Sequence, residues 1–202
     1  MFSDEENALP GIISALAINP DFSRVFAAGT FRGRIMLYHE DTCEPIFALQ
    51  HHGGSIAQLK FSPCGNYLYS ASRKENSIHC FDIRNTASVL WTVTRSSHNH
   101  QRVGFDIDPR GQILASASQD GRVKLWDLTQ GSPAEISSDL PQCPDAVNTF
   151  QFHPYLPYWC MATGQRHYNL NKKQEDSSSE DSSSDEEEET SSSSSKSKPT
   201  PT

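Results

Sequence analysis

Across residues 11–164 the apolar side chains fall in short runs, spaced two apart, with polar residues between them. The run Leu16-Ala17-Ile18-Asn19-Pro20 recurs as Leu59-Lys60-Phe61-Ser62-Pro63, as Phe105-Asp106-Ile107-Asp108-Pro109 and as Phe150-Gln151-Phe152-His153-Pro154, and the prolines lie 43, 46 and 45 residues apart. A spacing of two places both apolar side chains of a run on one face of a β-strand. The proline then ends the strand, because it has no N–H for the ladder. A turn follows each proline, with Gly or Ser supplying backbone freedom: Asp21-Phe22-Ser23, Cys64-Gly65-Asn66 and Arg110-Gly111-Gln112. Second runs span 25–29, 67–71 and 113–117, third runs 35–38, 78–82 and 123–127, and weaker fourth runs 45–49, 89–93 and 134–136.

Four short strands in each repeat of about 45 residues describe one blade of a β-propeller. A helical reading fails, since the period is two, Gly and Pro punctuate the chain, and β-branched and aromatic residues fill the runs. The expected fold is all-β, with three full blades plus a partial fourth whose pattern runs out after Met161-Ala162-Thr163-Gly164-Gln165-Arg166. Closed propellers have about four to eight blades, and an open stack leaves unpaired edges. The blades are therefore expected to belong to a larger ring. The predicted division is a leader at 1–10, blades at 11–170 and a disordered tail at 171–202.

Charge changes the picture only at the tail. The chain carries a formal net charge of -8, and residues 174–202 hold nine acids against two lysines with no apolar side chain. The remainder is close to neutral. A stretch of Ser and acid from 175 to 197 has nothing to bury and is expected to be disordered. Ser177, Ser178, Ser179, Ser182, Ser183 and Ser184 precede acids in the manner of acidophilic-kinase sites, and each phosphate would add about -1.5 to -2 charges. Such a tail suits basic nuclear proteins as partners, or folds back on a basic rim. No apolar run approaches the ~20 residues of a membrane span, and the N-terminus lacks the basic and apolar regions of a secretory signal. Five scattered cysteines without a C-x-x-C pair fit reduced thiols better than disulfides or zinc.

The third copy is the most specific. Leu114-Ala115-Ser116-Ala117-Ser118-Gln119-Asp120-Gly121-Arg122-Val123-Lys124-Leu125-Trp126-Asp127 resembles a WD repeat at nearly every position. In that family a buried tetrad of His, Ser or Thr, Asp and Trp pins each blade by shared hydrogen bonds. The resemblance implies Ser116 (or Ser118), Asp120 and Trp126 as members here, with His52 in the corresponding slot of the second copy. The second copy departs at Lys74 and Phe81, and the first at Arg32 and Tyr38. These polar residues are expected to be structural, since a buried polar group must be partnered.

The loops carry a narrower likeness. Ser72-Arg73-Lys74-Glu75-Asn76-Ser77-Ile78-His79-Cys80-Phe81-Asp82-Ile83-Arg84, Gln101-Arg102-Val103-Gly104-Phe105-Asp106-Ile107-Asp108-Pro109-Arg110-Gly111-Gln112 and Ala162-Thr163-Gly164-Gln165-Arg166, with Gly11-Ile12-Ile13-Ser14, resemble the C-terminal half of the telomerase Cajal body protein 1 family over roughly residues 11–168. That resemblance implies a non-enzymatic RNA-binding scaffold of the nucleus. Such a scaffold binds small Cajal body RNAs through their CAB box, and telomerase RNA where there is one. It works among RNP proteins and directs the RNP to Cajal bodies. No cofactor, metal or membrane is expected. The rival reading is a generic WD-repeat adaptor that binds peptides in a nuclear complex.

Sorting the loops offers an independent check. In a four-stranded blade, loops joining strands two and three, and loops entering strand one, open on one face. That rule puts Arg32, Arg34, Arg73, Lys74, Arg95, Arg102, Arg122 and Arg166 on one rim against Glu75 and Asp120. The other rim is expected to hold Asp21, Glu40, Asp41, Glu44, Asp108, Glu135, Asp139 and Asp145 against Arg24, Arg84 and Arg110. Arginine suits phosphate contacts and stacking, and His51, His98 and His100 on the same rim are placed to stack on unpaired bases. His98-Asn99-His100 lacks a third metal ligand nearby. Asp106 and Asp108 mimic a paired-carboxylate site, but ion pairing to an arginine is the expected role. No phosphate loop, nucleophile elbow or zinc-protease motif is found.

Overall fold

The computed structural model describes Leu9 and residues 11–49, 54–98, 100–136 and 140–164. Candidates His51, His52, Asn99, Asp139 and Arg166, the leader at 1–8 and the tail serines lie outside the described residues. Every described element is a strand. The first sheet runs β1 (Ile13–Ile18), β2 (Val25–Thr30), β3 (Ile35–His39), β4 (Pro45–Leu49). The second runs β5 (Ile56–Phe61), β6 (Tyr67–Ser72), β7 (Ser77–Asp82), β8 (Asn85–Thr94), and the third β9 (Phe105–Ile107), β10 (Ile113–Ala117), β11 (Val123–Asp127), β12 (Ala134–Ile136). A fourth, two-stranded sheet pairs β13 (Val147–Phe152) with β14 (Trp159–Thr163). Within each sheet consecutive strands are antiparallel neighbours, so each repeat is one meander.

The strands fall where the apolar pattern puts them, and the start of β8 moves most. β8 starts at Asn85, earlier than its apolar run, because Asp82 closes the preceding turn. Its carboxylate accepts the backbone N–H of Arg84 at 3.0 Å and the guanidinium at 2.9 and 2.8 Å, and the ladder restarts at once with Asp82 opposite Asn85. In the outermost strand of the first sheet Pro45 takes the first position, where its missing N–H costs no ladder bond.

Alternation sends the two faces of the second and third sheets into different seams, while the first and fourth sheets give one face each. Ala27, Ile35, Leu37 and Leu49 pack against Ile56, Leu59, Phe61, Leu68 and Phe81 between the first two sheets. Tyr69, Ala71, Ile78, Cys80 and Val93, from the second sheet's other face, meet Phe105, Ile107, Leu114 and Trp126. Ala115, Ala117 and Val123, with Val103, meet Val147 and Phe150 in the third seam. The inner strands of the second, third and fourth sheets thus send large residues backward onto small ones. At Gly29 the fit is so close that an added Cβ would lie 2.7 Å from Ile56 Cγ2.

The seams also carry polar ties between inner strands. Ser14 Oγ donates to the Ile56 carbonyl at 2.7 Å. The Gln58 amide donates to the Phe105 carbonyl at 2.8 Å and accepts the Phe105 N–H at 3.1 Å, as a backbone neighbour would. Asp106 corrects an expectation. It is buried, and its partner is a lysine, not an arginine: Oδ1 takes Lys60 Nζ and the N–H of Ile107, while Oδ2 accepts the N–H of Phe152 at 2.8 Å. Asp108 turns away into its own loop, where it accepts the N–H groups of Gln112 at 2.5 Å and Ile113 at 2.8 Å. The two carboxylates are structural and do not form a pair.

Candidate nucleic-acid interface

Because each sheet is a meander, the β2–β3, β6–β7 and β10–β11 loops emerge on the same rim as the β4–β5, β8–β9 and β12–β13 connections. Side chains join these loops. Arg73 Nη1 donates to the His100 carbonyl at 2.9 Å, the Asn76 amide meets the His98 ring at 3.2 Å, and the His98 N–H donates to Gln119 Oε1 at 2.9 Å.

Arg32, Arg34, Lys74, His98, His100, Arg102 and Arg122 are exposed on this rim, and Arg73 is half-buried. Among the described residues none of the arginines, nor Lys74, enters an ion pair, although Arg122 Nη2 donates to Gln142 Oε1 at 3.2 Å. On the opposite rim Arg24 is paired with Asp41 and Arg84 with Asp82. The acids are less segregated than the loop sorting expects. Asp145 lies in the β12–β13 connection, beside Gly121, and so belongs to the basic rim; Glu135 lies within β12 and pairs with Lys124 at 3.2 Å.

Arg95 is a second correction. Only 3% exposed, it is withdrawn from the rim, and its Nη1 donates to Ser116 Oγ at 3.0 Å across the seam between the second and third sheets. Its Nε and Nη2 have no partner among the described residues, and burial pushes its pKa down to about 10. The signal is in the sequence: Trp91, Val93 and Arg95 share one phase of the alternation, beyond a bulge that turns Val89 to the other face, and Val93 is buried. Arg95 also takes the partner expected for the tetrad. Ser116 and Trp126 are buried as anticipated, but Asp120 is exposed and its carboxylate closes a turn onto the N–H of Arg122 at 3.1 Å. The structure does not bring Ser116, Asp120 and Trp126 together as one network.

Where the β2–β3, β4–β5, β6–β7 and β8–β9 loops converge there is a cavity of about 590 Å³, lined by Phe31, Gly54, Ser55, Arg73, Lys74, Glu75 and His100. Phe31 is 47% exposed, and the Arg73 guanidinium carbon stands 5.5 Å from its ring centroid. Ser55 Oγ and Arg73 Nε in this wall are buried without a hydrogen-bond partner among the described residues. Glu75 accepts from, or shares a proton with, His79 Nε2 at 3.1 Å. Sequence reasoning found Arg73, Lys74 and His100 but missed Phe31 and Ser55. The available sign was a phenylalanine placed in a turn, where it serves no strand face.

A family model described as "Lactonase, 7-bladed beta-propeller" matches residues 26–141, which makes the chain a member of a seven-bladed β-propeller class. The word lactonase is the label of that propeller family and says nothing of this chain's chemistry. Telomerase Cajal body protein 1 of Homo sapiens is 38% identical over 160 residues, covering 77% of this chain and 29% of the relative. The Drosophila melanogaster homolog is 31% identical over 164 residues, with 77% and 29% covered. Guanine nucleotide-binding protein negative regulator 1 of Schizosaccharomyces pombe is 29% identical over 177 residues, with 84% and 43% covered. The chain belongs to the telomerase Cajal body protein 1 family of WD-repeat propellers. It spans less than a third of the length of those family members.

Proposed function

We propose that this chain is a non-enzymatic RNA-binding scaffold, which holds small Cajal body RNAs, or telomerase RNA, by their CAB box and carries the RNP to Cajal bodies in the nucleus. The observation that supports this reading most is the contrast between rims. Arg32, Arg34, Lys74, Arg102 and Arg122 are exposed with no carboxylate partner among the described residues, whereas opposite Arg24 and Arg84 are neutralised and Arg110 alone of the three arginines has no ion pair there. Unpaired, exposed guanidinium groups on one side are what a phosphate backbone engages. The names of the relatives add the class of RNP. RNP proteins, and basic proteins through the Ser/acidic tail, are the further partners of this reading.

The test is fluorescence anisotropy with a labelled small Cajal body RNA hairpin carrying a CAB box. Arg34→Glu with Arg102→Glu is expected to weaken binding at least about tenfold and to flatten the salt dependence, by roughly one slope unit per lost phosphate contact. Arg24→Glu with Arg110→Glu should leave both nearly unchanged. Equal losses from the two pairs would remove the one-sided surface, and a wild-type chain that ignores the hairpin would remove RNA binding itself.

A further inference from the structure

We infer that the cavity between Phe31, Ser55, Arg73 and His100 is a subsite for one unstacked nucleobase of a single-stranded RNA. The inference rests on the RNA reading above and adds to it a place where a base, not a phosphate, is held.

The first ground is Phe31 itself. It is the only Phe, Tyr or Trp among the described residues of this rim, and at 47% exposure it contributes to no seam. The equivalent turn positions of the second and third sheets are Arg73 and Gln119. An apolar ring kept at a charged surface is a stacking platform without a structural use. The second ground is the guanidinium beside it. The Arg73 guanidinium carbon stands 5.5 Å from the ring centroid and its Nη1 is tied to the His100 carbonyl, so the cavity wall offers an aromatic ring and a guanidinium, and bases stack on both kinds. The third is the wall. Ser55 Oγ and Arg73 Nε are buried polar atoms with no partner among the described residues, and such an atom costs free energy until something hydrogen-bonds to it. A base edge carries donors and acceptors of both signs, so it satisfies a hydroxyl and an N–H together. A volume of about 590 Å³ accommodates a nucleoside. The exposed Lys74 in the lining gives a flanking phosphate a cation beside the cavity.

A peptide side chain could also enter an aromatic and cationic cavity. The test therefore examines the cavity directly, with uridine and adenosine monophosphates, inorganic phosphate and an oligoglutamate peptide as probes. In the full chain carrying Phe31→Trp, nucleoside monophosphates are expected to quench the added tryptophan emission, measured against the wild type, while phosphate alone does not. A single-stranded decauridylate should bind Phe31→Ala about tenfold more weakly than wild type at unchanged salt slope, as expected for one lost base stack. Phe31→Leu should behave like Phe31→Ala, because it keeps apolar volume and loses the π-face. Full binding by Phe31→Leu would overturn stacking. Quenching by oligoglutamate and not by the nucleotides would overturn the base subsite in favour of an acidic peptide. RNA that binds with its salt slope intact and is indifferent to Phe31 would leave the function above standing and this subsite refuted. Nucleotide quenching in a chain that fails to bind the CAB-box hairpin would do the reverse.

Discussion

At the scale of single residues, the turn that frames the cavity is held in a conformation its sequence disfavours. In the first and third sheets the turn between the second and third strands places Gly33 and Gly121 at φ of 77° and 78°. In the second sheet the turn is one residue longer, and there Lys74, one position earlier than those glycines, takes φ of 60°. A side chain in the left-handed region costs about 1–2 kcal/mol, and such costs concentrate where a loop's shape matters for function. Lys74→Gly is therefore expected to raise the unfolding free energy by up to about 1 kcal/mol in urea titrations, part of the relieved strain being offset by glycine's greater freedom when unfolded. The same change should weaken RNA binding by loss of a cation beside the cavity. A loss of stability would show that Lys74 is not strained. Single residues were also the least legible level of the sequence. Arg95 reads as one more surface arginine until the phase of β8 is followed through it, and Asp120 reads as a buried tetrad member although its short turn keeps its carboxylate at the surface. Both depend on which way one side chain leans, and spacing alone does not encode that.

At the scale of elements, nearly everything was visible beforehand. Apolar spacing, proline stops and glycine turns give three meanders of four strands, and two strands of a fourth, because each cue acts within a few residues. The ties between inner strands were not visible, since Gln58 and Asp106 act on strands 46 or 47 residues away. Asp106 is the most exposed of these to a test. Asp106→Ala removes the partner of Lys60 and strands the N–H groups of Phe152 and Ile107 in a seam. The expected loss is about 3 kcal/mol, below the upper range for broken buried pairs because Lys60 keeps contact with water. Asp106→Asn, which still accepts one N–H, should cost less. Chemical denaturation of the two variants separates the outcomes, and a loss under about 1 kcal/mol for Asp106→Ala would mean that the tie is decorative.

At the scale of the molecule, one sheet face stands without the cover its equivalents have. Leu59 and Phe61 are 6% and 4% exposed, and Phe105 and Ile107 are 2% and 4% exposed. Leu16 and Ile18, the same positions in β1, are 63% and 69% exposed, with Ile12 and Ile13 also in the open. An apolar strand face of this kind drives association. Leu16→Ser with Ile18→Ser should abolish concentration-dependent association of the purified chain in sedimentation velocity and leave its unfolding midpoint within a few degrees, because neither side chain is packed. Association that persists unchanged would locate the sticky surface elsewhere.

The arrangement of large and small residues at the seams has a directional meaning. Bulky side chains of each inner strand enter the hollow left by Ala27 and Gly29, by Ala71, or by Ala115 and Ala117 of the sheet before it. A sheet entering backwards would set bulk against bulk, and one hollow against another. Whatever seats itself on Leu16 and Ile18 must therefore bring a shallow, alanine- or glycine-lined side, and must do so in the same rotational sense as the chain, so that the molecule admits a neighbour only in one orientation, as a key with a single cut edge admits one lock.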